Sequence, residues 1–210
     1  MTSTPRQITA ALALAAAAAS PAFAATSYTS EAAFLAAIGG APLTVESFES
    51  VPGGASPSWT FPTVTVTCNG SVRCPTFSGT STLLPTLGTT GVYYSTPDTL
   101  TFSFAAPVTA FGIDMRGLGT VGATTFSGEL SNGATATFFT DYVGDDSITQ
   151  FVGFVDTAGF TSVTFSGTAP DDGLYFDRLQ VAAVPEPQAV ALLLAGLGVT
   201  AAAARRRLRG

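Results

Sequence analysis

Thr124-Thr125-Phe126-Ser127-Gly128-Glu129-Leu130, then Ser131-Asn132-Gly133-Ala134, then Thr135-Ala136-Thr137-Phe138-Phe139-Thr140-Asp141 is the stretch that decides the fold class. Thr and Phe recur with the period of two that a pleated strand imposes, and β-branched and aromatic residues suit such a surface. Ser131-Asn132-Gly133 supplies the residues a tight hairpin needs. The spacing therefore predicts two antiparallel strands, Thr124–Leu130 and Thr135–Asp141, joined directly.

The same pattern extends in both directions. Leu43–Glu49, Thr60–Thr67, Leu100–Phe104, Thr109–Met115, Gln150–Asp156, Thr161–Ser166 and Leu174–Val181 read as further strands, separated by Gly, Pro, Asn and Asp. Many short strands with frequent turn signals predict an all-β, two-sheet sandwich, jelly-roll-like in type. One helix is expected near the start. Ser30 can cap it, Glu31 suits its first turn, Phe34, Leu35 and Ile38 form an apolar stripe, and Gly39-Gly40 end it. The stretch from Pro75 to Pro97 reads as loop.

Both ends of the chain differ from this body. Arg6, the apolar run from Ile8 to Ala19 and Ser20-Pro21-Ala22-Phe23-Ala24 have the order of a secretory signal, with cleavage expected after Ala24. At the other end Val184-Pro185-Glu186-Pro187 precedes an uncharged run, 188–204, and then Arg205, Arg206, Arg207 and Arg209. Those apolar residues would span roughly 25 Å as a helix, near the lower limit for crossing a bilayer. The arginines would stay on the cytoplasmic side. A buried core helix with a basic end is the competing reading.

That C-terminal order of polar motif, apolar segment and basic tail resembles the PEP-CTERM sorting signal of Gram-negative bacteria. The resemblance implies export through the secretion translocon and transient anchoring in the inner membrane. It also implies recognition near Val184–Pro187 by an exosortase-type processing enzyme. Delivery to the cell surface or extracellular matrix of an exopolysaccharide-producing, biofilm-forming bacterium would follow. The expected organisation is a signal peptide at 1–24, a β-sandwich at 25–183 and the sorting signal at 184–210. More loosely, the body resembles secreted β-sandwich domains found ahead of such signals. The residues that carry this are Phe48-Glu49, Phe111-Gly112-Ile113-Asp114, Phe151-Val152-Gly153-Phe154, Val163-Thr164-Phe165 and Leu174-Tyr175-Phe176-Asp177-Arg178-Leu179.

Residues 25–183 carry Arg73, Arg116 and Arg178 against thirteen acidic residues, with no Lys. So acidic a body offers no footprint for nucleic acid. The chain has no His, which removes the imidazole general base and the Ser-His-Asp and Cys-His arrangements. Its two cysteines, Cys68 and Cys74, read as a disulfide closing a short turn in an exported protein, with two free thiols as the alternative.

Paired carboxylates are the remaining catalytic chemistry. Asp145-Asp146 and Asp171-Asp172 are the doublets, yet both fall in turns where Asp is favoured for local hydrogen bonding. The expectation is therefore a protein without a catalytic residue. A glycoside-cleaving enzyme is the more distant alternative. A structural Ca²⁺ is the cofactor to consider, held by Glu46, Glu49 and Asp177 if the first and last strands meet. The plainer alternative has Asp114 and Asp177 accepting hydrogen bonds from Arg116 or loop amides. For a polysaccharide ligand, Trp59, Tyr93, Tyr94, Tyr142 and Tyr175 are the possible aromatic platforms. Tyr142 near Asp145 and Asp146 is the favoured site in this lectin-like reading.

Overall fold

The computed structural model describes residues 25–50, 54–70, 75–78, 90–145 and 147–184. In chain order the elements are β1 (Thr26–Tyr28), α1 (Glu31–Ala37), β2 (Thr44–Glu46), β3 (Gly54–Ala55), β4 (Ser58–Thr60) and β5 (Thr65–Asn69). There follow β6 (Pro75–Ser78), β7 (Thr90–Ser95), β8 (Thr99–Arg116), β9 (Thr124–Leu130), β10 (Thr135–Tyr142), β11 (Gln150–Gly167) and β12 (Gly173–Ala183). Among the described residues the protein is mostly β with one short helix.

The opening hairpin forms as read. Leu130 N–H donates to Ala134 O at 2.8 Å and Gly133 N–H to Leu130 O at 2.9 Å. Gly133 takes φ 85°, a conformation that costs glycine little. Asn132 Oδ1 accepts from Ala134 N–H at 3.1 Å, and its Nδ2 donates to Asp156 at 2.7 Å.

Two strands build both layers. β8 and β11 are each 18 residues long and pair antiparallel through two registers, Gln150–Val155 against Met115–Ala110 and Ser162–Ser166 against Ser103–Thr99. The first register belongs to a layer ordered β1-β11-β8-β12-β7, with β2 alongside β12. The second belongs to a layer ordered β10-β9-β11-β8-β5-β4. The sequence reading treated the two halves of each long strand as separate, because irregular pairing between Val155 and Ser162 interrupts the alternation.

The layers face each other through phenylalanine. Phe102 and Phe165 of one layer meet Phe176 of the other with centroids 5.9 and 5.6 Å apart, and Phe102 meets Phe111 at 5.5 Å. Each of these rings is wholly buried. Burying one such side chain is worth about 1.5–3 kcal/mol, so this inter-layer cluster dominates the stability of the sandwich.

A second, smaller cluster of Phe34, Ala110, Phe151 and Ala182 holds α1 on the outside of the first layer. Ser30 caps the helix as expected, accepting from Ala33 N–H. Gly112 and Gly153 are cross-strand partners beneath it. A Cβ on either would approach the Phe34 ring to 3.0 or 3.1 Å, so the paired glycines make the seat for that ring. Leu35 is corrected from the expected stripe: it is 40% exposed, because it lies about 100° round the helix from Phe34.

Other expected boundaries shift. Only Thr44–Glu46 of the first expected strand is extended, since Phe48 turns inward at φ 59°. Thr60–Thr67 is two strands, β4 and β5, joined by a turn in which Phe61 N–H donates to Val64 O at 2.8 Å. Part of the stretch from Pro75 to Pro97 forms β6 and β7 instead of loop. Among the described residues no helix is long and apolar enough to cross a membrane. The expected signal peptide and the expected span 188–204 lie outside the described residues, as do Cys74, Asp146, Pro185, Glu186, Pro187, Arg205, Arg206, Arg207 and Arg209.

Candidate functional site

Cross-strand neighbours in an antiparallel sheet point to the same face, so register alone places a row of functional side chains. Tyr93, Tyr175 and Arg116 are directly opposed across β7, β12 and β8. The next outward-facing row contains Asp177, Asp114 and Phe151 across β12, β8 and β11. Helix α1 closes the far end of this face. Both arginines among the described residues lie here, in a body whose charge is otherwise overwhelmingly negative.

Arg178 organises the face. It takes φ 49°, in the left-handed region, at a register shift between Asp177 and Gln180. Such a bulge inserts one residue into a strand and re-aims its side chain. Adjacent residues of a regular strand point to opposite faces, and the bulge is why Asp177 and Arg178 do not.

Arg178 Nε and Nη2 donate to the two Asp114 carboxylate oxygens at 2.8 and 2.9 Å. Its Nη1 and Nη2 donate to the two Glu31 oxygens at 2.5 and 2.8 Å. Gln180 Nε2 adds a donor to Glu31 at 2.7 Å. The planar guanidinium thus clamps the first turn of α1 to the middle of the sheet, a geometry that lysine cannot reproduce.

The clamp acts on protonation. Hydrogen bonds from Arg178 hold the Glu31 carboxyl below its ordinary range, aided by Gln180 and opposed by burial. Glu31 and then Asp114 push the Arg178 guanidinium further up, so it stays charged at every relevant pH. Glu31, Asp114, Thr149, Gln150, Phe151 and Arg178 line a depression of about 570 Å³. Arg116 Nε donates to Thr149 Oγ1 at 2.6 Å beside it, and Tyr93 packs against Tyr175 with the rings tilted at 49° and 4.9 Å between centroids. The arrangement offers acceptors, donors and an aromatic surface to a neutral polar ligand.

The expected calcium ligands are not brought together. β2 does pair with β12, opposing Glu46 to Leu179. Glu46 is buried, however, and its oxygens accept from Phe48 N–H at 3.0 Å and Thr63 Oγ1 at 2.8 Å. Asp177 is opposed to Asp114, and Glu49 lies in an exposed turn. Among the described residues no three His, Cys, Asp or Glu side chains form a group that could hold a metal. Asp114 takes its hydrogen bonds from Arg178, while Arg116 serves Thr149.

The favoured ligand residues also separate from this face. Tyr142 packs on the core and on Phe139, with centroids 5.2 Å apart. Asp145 forms a local turn, accepting from the Ser147 amide at 2.7 Å and from its hydroxyl. The Ser147 hydroxyl, then its amide, hold the Asp145 carboxyl below the ordinary range. Asp172 departs from the local hydrogen bonding read from sequence, since its partners lie more than fifty residues away. It is wholly buried and accepts from Gly119 N–H at 2.8 Å, Thr120 N–H at 3.2 Å and Thr120 Oγ1 at 3.0 Å.

Sequence reasoning missed Glu31 and Gln180 as partners of Arg178. An isolated Arg in a nearly cation-free body was the available signal, but the bulge that aims it has no glycine to announce it.

Residues 183–207 match the PEP-CTERM protein-sorting motif, which implies an exported, sorted protein. No curated protein matches the chain. Among solved structures, the CBM22-1 xylan-binding domain from Paenibacillus barcinonensis Xyn10C is 15% identical, covering 69% of this chain and 96% of its own, at TM-score 0.43. The C-terminal family 22 carbohydrate-binding module of Clostridium thermocellum Xyn10B is 13% identical, covering 67% and 93%, at TM-score 0.40. The catalytic domain of a GH87 α-1,3-glucanase is 14% identical, covering 71% of this chain and 29% of its own, at TM-score 0.38. A binding domain and a catalytic domain score alike, so these likenesses do not choose a ligand or an activity.

Proposed function

We propose that this chain is an exported cell-surface or extracellular-matrix protein whose sandwich has a structural or binding role without catalysis. The observation that carries the reading is the sorting motif at 183–207, joined without a linker to the last strand of the sandwich. In this reading residues 1–24 direct export, 188–204 form the inner-membrane helix, and Arg205, Arg206, Arg207 and Arg209 hold the tail on the cytoplasmic side. An exosortase-type enzyme then cuts near the motif. The sandwich is jelly-roll-like, with a Cys68–Cys74 disulfide pinching the turn after β5.

Replacing Pro185-Glu186-Pro187 with alanines should leave a membrane-retained precursor with its tail intact. Normal shedding of that variant would sink the sorting reading.

A second reading, polysaccharide binding, is favoured by the Tyr93–Tyr175 pair beside Arg116, Thr149 and the depression. Sugar rings stack on such aromatic surfaces, and flanking carboxylates and amides take the hydroxyls. A glycan array with and without Ca²⁺ tests it. Binding lost on Tyr175→Ala but kept on Tyr142→Ala is the expected outcome, and no binding to any neutral glycan removes this reading.

A further inference from the structure

The chain has two asparagines, Asn69 and Asn132, and both are followed by glycine. An asparagine before glycine carries a reaction of its own. The glycine amide nitrogen gives up its proton and attacks the asparagine Cγ, an approach that no Cβ on the next residue obstructs. The N–Cγ bond forms, the Cγ–Nδ2 bond breaks, and the amide leaves as ammonia, carrying away the glycine proton. Water then opens the five-membered imide at either carbonyl, giving aspartate or its β-linked isomer. No oxidant enters. The ring closes only where the side-chain amide can swing onto the glycine nitrogen, so the fold decides which of two chemically equal sites reacts.

The two sites are held differently. The Asn132 side chain is fixed at both atoms: Nδ2 donates to Asp156 Oδ2 at 2.7 Å, and Oδ1 accepts from Ala134 N–H at 3.1 Å. The Gly133 N–H that would have to attack donates to Leu130 O at 2.9 Å. Asp156 is itself buried, and its Oδ1 accepts from Ala158 N–H at 2.9 Å. The hairpin must open before the ring can close. Asn69 is the last residue of β5, where it opposes Thr99, and it is exposed. Gly70 lies beyond the ladder and is exposed too. Among the described residues neither the Asn69 side-chain amide nor the Gly70 N–H meets a hydrogen-bond partner.

We propose that Asn69 is a site of spontaneous deamidation and that the hairpin lock spares Asn132. This needs neither the sorting nor the glycan reading. The consequences of reaction differ as much as the rates. At Asn132 a new carboxylate would face the Asp156 carboxylate across a hydrogen-bond distance, turning a donor–acceptor pair into repulsion within the β9–β10 hairpin. At Asn69 the new charge falls at a strand end, near the Asp98 side chain that packs on Gly70. Its β-linked product adds one methylene to the main chain where the β5–β8 ladder stops. The fold leaves reactive the position where the change loosens a strand end, and shields the one where it would break a hairpin.

The test ages purified full-length protein at mildly alkaline pH and follows both sites by peptide mass mapping. Asn69 should convert first, with Asn132 on the order of a hundredfold slower, because its ring closure waits on local opening of the hairpin. In concentrated urea the two rates should converge. Asp156→Asn keeps the acceptor for Ala158 N–H and removes the one for Asn132 Nδ2. It should speed conversion at Asn132 by roughly tenfold, the worth of one hydrogen bond to a charged group, and leave the Asn69 rate unchanged. Equal rates in the folded protein, or faster reaction at Asn132, overturns the proposal. So does an Asn69 that stays intact while the urea-unfolded chain converts, or a difference in rate that persists in urea. An unchanged Asn132 rate in folded Asp156→Asn protein refutes the lock. The wild-type comparison decides the matter even where that variant does not fold.

Discussion

Replacing Arg178 should destabilise the sandwich through the buried carboxylate it leaves behind. The residue donates to both oxygens of Asp114 and both of Glu31. Glu31 is 33% exposed and can rehydrate when the guanidinium is gone, whereas Asp114 is 6% exposed and cannot readily do so. Removing one partner of a buried pair costs about 3–5 kcal/mol. Because Asp114 lines an open depression, water recovers part of this, and about 2–4 kcal/mol is expected for Arg178→Met. For a domain of this size that corresponds to roughly 4–16 °C in Tm.

A backbone effect separates the clamp from the bulge. At φ 49° a non-glycine side chain is strained, so Arg178→Gly should cost about 1 kcal/mol less than Arg178→Ala despite removing more atoms. Urea unfolding followed by the fluorescence of Trp59, which packs against the core, reads both quantities. The pH dependence adds a third. Glu31 has its folded pKa lowered, so its contribution is fully present above the unfolded carboxylate value and is lost as pH falls through the lower folded value. Wild-type protein should lose stability on acidification over that window, and Arg178→Met should lose less. An Arg178→Met protein with an unchanged urea midpoint, or equal stability for the Ala and Gly variants, would refute the reasoning.

Phe34→Ala should cost about 3–5 kcal/mol, since the ring is wholly buried and its glycine seat cannot rise to fill the gap; thermal unfolding reads it. Gly153→Ala should cost about 1–3 kcal/mol in the same assay, because the new Cβ would lie 2.9 Å from the Phe111 carbonyl oxygen, which is backbone. Asp172→Ala should cost about 3 kcal/mol by leaving the buried Gly119 amide and the part-buried Thr120 amide without their acceptor, and hydrogen exchange at those two amides should accelerate first. Glu31→Gln should flatten the acid limb of the stability profile while leaving stability at neutral pH reduced only modestly, as partial exposure of the pair requires.

The second layer was the most legible part of the fold. Phe126, Leu130 and Phe165 alternate with polar residues on strands whose outer face meets water, so the pattern survives in the sequence. The hairpin at Ser131-Asn132-Gly133 and the Ser30 cap were readable because each has a local chemical signature. The first layer was harder. Covered by α1 on its outer side, it buries both faces at Ala110–Met115 and at Phe151–Phe154, and a strand buried on both faces loses its alternation. The β7 strand, Thr90–Ser95, was missed for a different reason: Val92, Tyr93 and Tyr94 favour a strand, but Gly91 and the Gly- and Pro-containing sequence around them read as turns.

The candidate site was legible in parts and not as a whole. Tyr93, Tyr175, Asp114, Asp177 and Arg178 were each singled out, but which of them meet depends on a register shift and one left-handed residue. Proximity in sequence misled in the other direction, since Tyr142 and Asp145 lie near each other along the chain yet serve core packing and a turn. The meeting of β2 with β12 was anticipated, but there Glu46 caps its own loop instead of reaching toward a neighbouring carboxylate.

The shared boundary between β12 and the sorting motif has a mechanical meaning. On the sorting reading proposed above, a body held at its C-terminal end would receive any drag at Ala183. β12 is laddered to β8 on one side from Tyr175 to Ala183, and on the other to β7 and then to β2 as far as Val181. A pull along the strand must shear many hydrogen bonds together, whereas a pull across it would open them one after another. On that reading, a load aligned with β12 would meet the sandwich in the direction in which it is hardest to tear.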